Sequence, residues 1–259
     1  MKRNSLLLMS TLLLPLFIVA QVKKKDIALD SGFLAKAERL EVKLGFNSSN
    51  KLWNYRFGDY HLTANKLIAK PTKESSNFLG TKSELSSRAR FKFELSDNQQ
   101  HSANVEGSIQ NDIASQHELR ISEHVYFGQE KLANTRRNFL ATLTTNDDTT
   151  TWRIIAIEQS DSSWIGLFTD GARKIDIIRI YKYTDGKSAS FGISSGCELK
   201  ENGATIGAVQ YFGNRYNNNV VWLLSSMDAK EKCRIAGALT ALMAGAHNGQ
   251  EAIESALDQ

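Results

Sequence analysis

Apolar and polar residues alternate with a period of two along most of this chain. Leu40, Val42, Leu44 and Phe46 share one face of a stretch whose intervening positions are mostly charged. That pattern marks a half-buried strand. It continues over 52–57 and 60–69, with Gly58-Asp59 as a turn between them. Residues 88–95 alternate through Ala89, Phe91, Phe93 and Leu95, turn at Asp97-Asn98, and return through Ala103, Val105 and Ile109. Residues 118–127 and 138–144 predict further strands. The densest region follows, with strands expected over 152–158, 163–168, 174–183, 188–193, 197–200, 204–212 and 219–224. Their separators are turn formers: Asp161-Ser162, Asp170-Gly171, Asp185-Gly186, Glu201-Asn202-Gly203 and Asn217-Asn218-Asn219.

The period changes near the C-terminus. Ile235 to Ala246 is an uncharged run of small and apolar residues. Asp228, with Glu231 three residues on, forms a capping-box arrangement, so a helix is predicted over 229–246. Asn248-Gly249 supplies a stop. A helix apolar on all sides is a buried one, and this run is too short to cross a bilayer. Residues 250–258 add a short amphipathic turn or helix. Residues 70–87 are rich in Ser, Thr and Lys, carry Pro71, and read as a long surface loop. Residues 26–36 read as a short helix or loop. Together these elements predict a mainly β chain. About twelve antiparallel strands form a barrel or sandwich, packed on or around one apolar C-terminal helix. The expected organisation is a signal peptide at 1–20, a lead-in at 21–39 and one β-rich domain over 40–259.

The leader rests on the distribution of charge. Lys2 and Arg3 precede an apolar core from Leu6 to Val19, interrupted by Pro15, and Val19-Ala20 offers a small residue for cleavage before Gln21. No Cys follows to accept a lipid anchor. These features predict export to the periplasm, the cell envelope or the medium. The formal net charge of the 259 residues is +4, and loss of Lys2 and Arg3 with the leader leaves +2. That balance, with no dense basic stripe, argues against nucleic acid as a partner. Lys23-Lys24-Lys25 is the only basic run, a solvated tail or a contact with an anionic membrane.

Catalytic motifs are weak. Gly192-Ile-Ser-Ser-Gly196 has the letters of a nucleophile elbow, but that chemistry needs a strand, a sharp turn and a helix, and here strands follow. Gly186-Lys187-Ser188 resembles the end of a phosphate-binding loop, yet Tyr181 stands where the upstream glycine belongs. His117 and His124 lack metal-ligand spacing, and the five histidines are scattered. Asp147-Asp148 sits in a turn. No catalytic, cofactor-binding or metal-binding residue is assigned, and no cofactor is implied. Cys197 and Cys233 would staple sheet to helix if bridged, which export permits; two separate buried thiols fit equally well. Trp53, Trp152, Trp164 and Trp222 all fall in strand positions, as core aromatics or as a solvent-facing row.

The strand–turn–strand at 197–210, the last strand at 220–224 and the helix at 233–246 resemble the tubby-like and phospholipid-scramblase-like barrels. The resemblance implies about twelve strands closed around such a helix. The chain also looks like the uncharacterised exported proteins of bacteria. The leading expectation is a non-enzymatic, exported β-rich protein that binds lipid or a membrane surface at the cell envelope. The alternatives are an envelope hydrolase with unidentified residues, and a structural or partner-binding protein that uses the 70–87 segment.

Overall fold

A computed structural model describes residues 25–45, 54–76, 82–116, 119–122, 125–127, 131–158, 164–188, 194–211 and 218–257. A short helix α1 (Ser31–Leu34) precedes the first strands β1 (Ala37–Glu41), β2 (Lys43–Leu44) and β3 (Tyr55–Phe57). Four long strands follow, β4 (Tyr60–Ser76), β5 (Lys82–Ser96), β6 (Ser102–Gln116) and β9 (Lys131–Thr145), with the small hairpin β7 (Leu119–Ser122) and β8 (Val125–Phe127) between the last two. Then come β10 (Asp148–Glu158), β11 (Trp164–Thr169), β12 (Lys174–Ile180), β13 (Gly196–Glu201), β14 (Ala204–Gln210) and β15 (Val220–Leu224), and finally helix α2 (Ala229–Leu257).

All strands but β7 and β8 join one thirteen-stranded antiparallel sheet, in the order β1-β15-β14-β13-β12-β11-β10-β9-β6-β5-β4-β3-β2. The two edge strands are consecutive stretches of chain separated only by Val42. β1 pairs with β15 and β2 with β3, and the Val42 amide donates to the Asn219 carbonyl at 2.9 Å. The sheet therefore returns almost onto itself as a nearly closed barrel, which removes most of the edge that an open sheet exposes.

Alternation decides what faces inward. Trp152, Ile154 and Ala156 of β10 are buried in one core with Ile175 and Ile177 of β12 and Leu199 of β13, while Arg153 between them is exposed. The inner face closes on α2. From Cys233 to Ala244 every helix residue is buried, and the helix packs against β4, β5, β6 and β9 as well as β14 and β15. Glycines set the approach on both sides. A Cβ on Gly237 would lie 2.8 Å from Ala103 Cβ of β6, and one on Gly207 of β14 would lie 2.7 Å from Ile235 Cγ2. The apolar run is thus a core helix enclosed by strands, as its composition predicts.

Three expectations need correction. Most of residues 70–87 is strand rather than loop, because 70–76 complete β4 and 82–87 begin β5, paired from Lys70↔Arg88 to Ser76↔Ser83; 77–81 lie outside the described residues. These stretches carry only Pro71 and Leu85 as apolar residues, so no hydrophobic period announces the ladder. Pro71, which has no amide hydrogen, sits where the register shifts between Lys70 and Lys73. Second, Asn248-Gly249 does not end the helix, which continues to Leu257. The Asn248 side chain donates to the Ala244 carbonyl one turn back, at 2.7 Å. Third, the capping box is half formed. The Glu231 amide donates to Asp228 Oδ1 at 2.7 Å, but the Glu231 carboxylate binds arginines.

The lead-in is a strap on the outer wall. Ile27 and Phe33 form a second core with the outward residues Ile180, Ala208, Val220 and Trp222. The buried Gln210 amide fixes it: its Oε1 accepts from the Ile27 amide at 2.8 Å, and its Nε2 donates to the carbonyls of Lys25 at 3.0 Å and Asn218 at 2.8 Å.

Candidate functional site: two charged ends of the barrel

The inward rows of the barrel are apolar in the middle and charged at their ends. On β12 the row runs Arg173, Ile175, Ile177, Arg179; on β10 it runs from Trp152 to Glu158; on β9 it begins at Arg137. Antiparallel pairing gathers these charges into two clusters, one beside the first turns of the helix and one at the opposite end of the strand rows.

At the helix N-terminus the charges are matched. Arg173 grips Glu201 with Nε and Nη2 at 2.8 and 2.9 Å and reaches Glu231 with Nη2 at 3.0 Å. Arg234 of the helix pairs with Glu231, and its Nη2 donates to Asp148 at 3.2 Å. Both guanidinium carbons lie over the Trp152 ring, at 5.2 and 5.0 Å from its centroid. Hydrogen bonds from Arg173 hold Glu201 below the usual carboxylate range. This network anchors α2 to β10 and β13.

The opposite end has a different balance. Arg179 Nη2 donates to Glu158 Oε2 at 2.7 Å, and its guanidinium carbon lies 3.7 Å from the centroid of Trp164. The Trp164 indole donates to the Ile177 carbonyl at 2.8 Å, so Arg179 rests on an aromatic platform fixed to its own strand. Arg137 approaches Glu158 only at 3.8 Å, and its buried Nε has no hydrogen-bond partner. Burial lowers the Arg137 pKa, Glu158 opposes that, and the like charge of Arg179 adds to it. Burial also works against the Glu158 charge, but Arg179 outweighs it and holds the carboxyl below its ordinary value. Among the described residues, two guanidiniums here share one carboxylate. Buried Tyr211 lies in their field, with its hydroxyl 3.0 Å from Ser194 Oγ. The Ser195 hydroxyl is buried with no hydrogen-bond partner.

Deeper inside, His247 of α2 is fully buried, with Nδ1 3.0 Å from the Tyr55 hydroxyl and Nε2 2.8 Å from the Tyr211 carbonyl. Burial pushes its pKa down to about 4, so the imidazole is neutral at pH 7.

Among the described residues, the motifs read from sequence do not assemble into a reaction centre. Ser194 leads into β13 rather than into a helix, so the elbow letters have no elbow; Gly192 and Ile193 lie outside the described residues. Gly186, at φ 77°, turns a short loop in which its amide donates to the Tyr183 carbonyl at 2.9 Å. His117, His124 and Trp53 fall outside the described residues, as does the stretch 1–20 expected to be a leader. Trp152 and Trp222 are core, and Trp164 is half-buried. Cys197 and Cys233 are both free and buried in the barrel core, and burial pushes each thiol up to about 12.

Sequence reasoning missed Arg137, Glu158 and Arg179. A signal was present: each continues an inward, otherwise apolar row, where a charge is out of place.

The outer wall beside this end is also unusual. Leu140 of β9, Ile155 and Ile157 of β10, Ile165 and Leu167 of β11 and Ile178 of β12 occupy outward positions on four adjacent strands. Leu140 is 46% exposed, Ile165 53% and Ile178 41%. Ile155 pairs with both Leu140 and Leu167, and Ile157 with Ile165, so the residues form one band. Exposed Arg136, Arg153 and Lys174 flank it, with Asp176 among them.

The fold defines a class: a nearly closed antiparallel β-barrel enclosing its C-terminal helix. No protein-family model, curated protein or solved structure matches the chain.

Proposed function

We propose that this chain is an exported, non-enzymatic barrel that binds a lipid surface at the cell envelope. The observation that carries the reading is the outward aliphatic band on β9–β12. Soluble chains seldom leave six neighbouring aliphatic side chains unburied, and such a patch marks an interaction surface. Arg136, Arg153 and Lys174 at its margins suit an anionic bilayer, where each basic residue adds on the order of 1 kcal/mol near the surface. The charged, cation-rich barrel end beside the band has the same preference. The enclosed helix leaves the interior filled, which directs binding to the wall and rim. The leader at 1–20 supports the envelope as the place of action, and the architecture supports kinship with the tubby-like and scramblase-like barrels.

Co-sedimentation of the mature chain with phosphatidylcholine vesicles, with and without phosphatidylglycerol, tests the reading. Association that grows with the anionic lipid and falls at least fivefold in Ile165→Asp is expected. No association with either vesicle would count against membrane binding. N-terminal sequencing of the exported protein tests the leader, with a start at Gln21 expected and a start at Met1 against it.

A further inference from the structure

We infer that the cation-rich end of the barrel is a phosphate-binding site, with Arg137 as the gripping residue and Arg179, seated on Trp164, beside it. Two other arginines of this protein grip a carboxylate by one edge. Arg39 holds Asp26 through Nε and Nη2 at 2.8 and 2.9 Å. Arg173 holds Glu201 through the same two atoms at the same distances. That edge is the fork that matches two oxygens of a carboxylate or phosphate. Arg137 presents the same edge, yet its Nε has no hydrogen-bond partner, and Glu158 is met at 3.8 Å by Nη1. Arg234 Nε also lacks a partner, but its terminal nitrogens hold Glu231 and Asp148. Among the described residues, Arg137 donates no hydrogen bond to a protein group.

A buried donor without an acceptor costs about 1–3 kcal/mol, more when charged, so a protein that keeps one has a use for it. The Arg137 side chain is 31% exposed, so a ligand reaches its terminal nitrogens from solvent, with the covered Nε just beneath them. Its surroundings favour phosphate over a carboxylate. A carboxylate brings two acceptor oxygens, which the Arg137 fork alone would use. A phosphate brings a third oxygen and a second negative charge for the second guanidinium. Trp164 fixes Arg179 and Glu158 orients it, so the second cation is held in place before an anion arrives.

The inference rests on the binding reading above and specifies its chemistry. The phosphate belongs either to a lipid headgroup or to a soluble phosphate ester. The test is thermal melting of the full mature chain in inorganic phosphate against chloride at equal ionic strength, paired with vesicles of phosphatidylcholine alone or with phosphatidic acid. Phosphate at tenfold its Kd should raise Tm by about 3 °C. Arg137→Gln should abolish that rise while melting no lower than the parent in chloride, because it removes an uncompensated cation. Phosphate should compete with phosphatidic acid vesicles if the ligand is a headgroup. A phosphate response without vesicle binding upholds the site and removes the membrane reading. Vesicle binding with no phosphate response, or an equal response in Arg137→Gln, overturns the site and leaves the membrane reading standing.

Discussion

Row β12 carries arginine at both of its inward ends, and the two have different fates. Arg173 meets two carboxylates, Glu201 and Glu231. Arg179 meets one, Glu158, which Arg137 shares. The first cluster closes the barrel around the start of the helix. The second leaves a positive surplus at the opposite rim. A matched network of this kind contributes to structure, because every partner removed strands another charge. A surplus contributes nothing to folding, which is why it reads as a place for something else to bind.

The largest effect should come from the helix that separates the two ends. Ala241→Pro breaks a helix whose residues are enclosed on every side, at a cost of about 3 kcal/mol or more from the backbone alone. The expected outcome is loss of soluble, folded protein, read by circular dichroism and gel filtration; a variant that stays folded would mean the helix is not central.

His247 should dominate the acid response. Its folded pKa lies near 4, below the ordinary value of about 6.5. The unfolded chain therefore binds a proton that the folded chain refuses, so stability is full above pH 6.5 and falls as pH drops toward 4. The loss is on the order of 3 kcal/mol across that window. His247→Gln should flatten the pH dependence of urea unfolding between pH 6.5 and 5, and an unchanged slope would remove His247 as its source.

Next in size is the matched cluster. Glu231→Ala leaves Arg173 and Arg234 each short of a partner and should cost about 2 kcal/mol, discounted for the exposure of Arg173. Chemical denaturation measures it.

The smallest effect concerns the thiols. With both pushed up to about 12, Cys197 and Cys233 should resist alkylation in the native state. Unfolding without reductant should release two free thiols, and a count of zero would establish a bridge.

The fold was readable from the chain because its signals are local. Alternation through Phe91, Phe93 and Leu95, turn pairs such as Asn202-Gly203, and the uncharged run at Ile235 each specify their own element. Asn202 and Gly203 do take the positive φ angles, 51° and 81°, that such a turn requires. The polar half of the β4–β5 hairpin was hidden because its residues are almost all polar in sequence, leaving no period to detect. The helix overran its expected stop because Asn248 bonds back to Ala244 instead of turning the chain. The charged ends were hidden for a different reason. Arg137, Glu158 and Arg179 are far apart in sequence, and only the register of four strands brings them together. What the chain did carry was the anomaly of a charge at the end of an apolar row, and that anomaly is legible only once inward and outward faces are known.

The contrast between the two ends is tested most directly by melting Arg137→Gln and Arg234→Gln side by side in phosphate-free, low-salt buffer. Arg234→Gln takes one partner each from Glu231 and Asp148 and should lower Tm by about 4–8 °C, for a loss of roughly 2 kcal/mol. Arg137→Gln should leave Tm within about 2 °C of the parent or raise it. Equal and large losses in both would contradict the account, because the rim arginine would then be structural too.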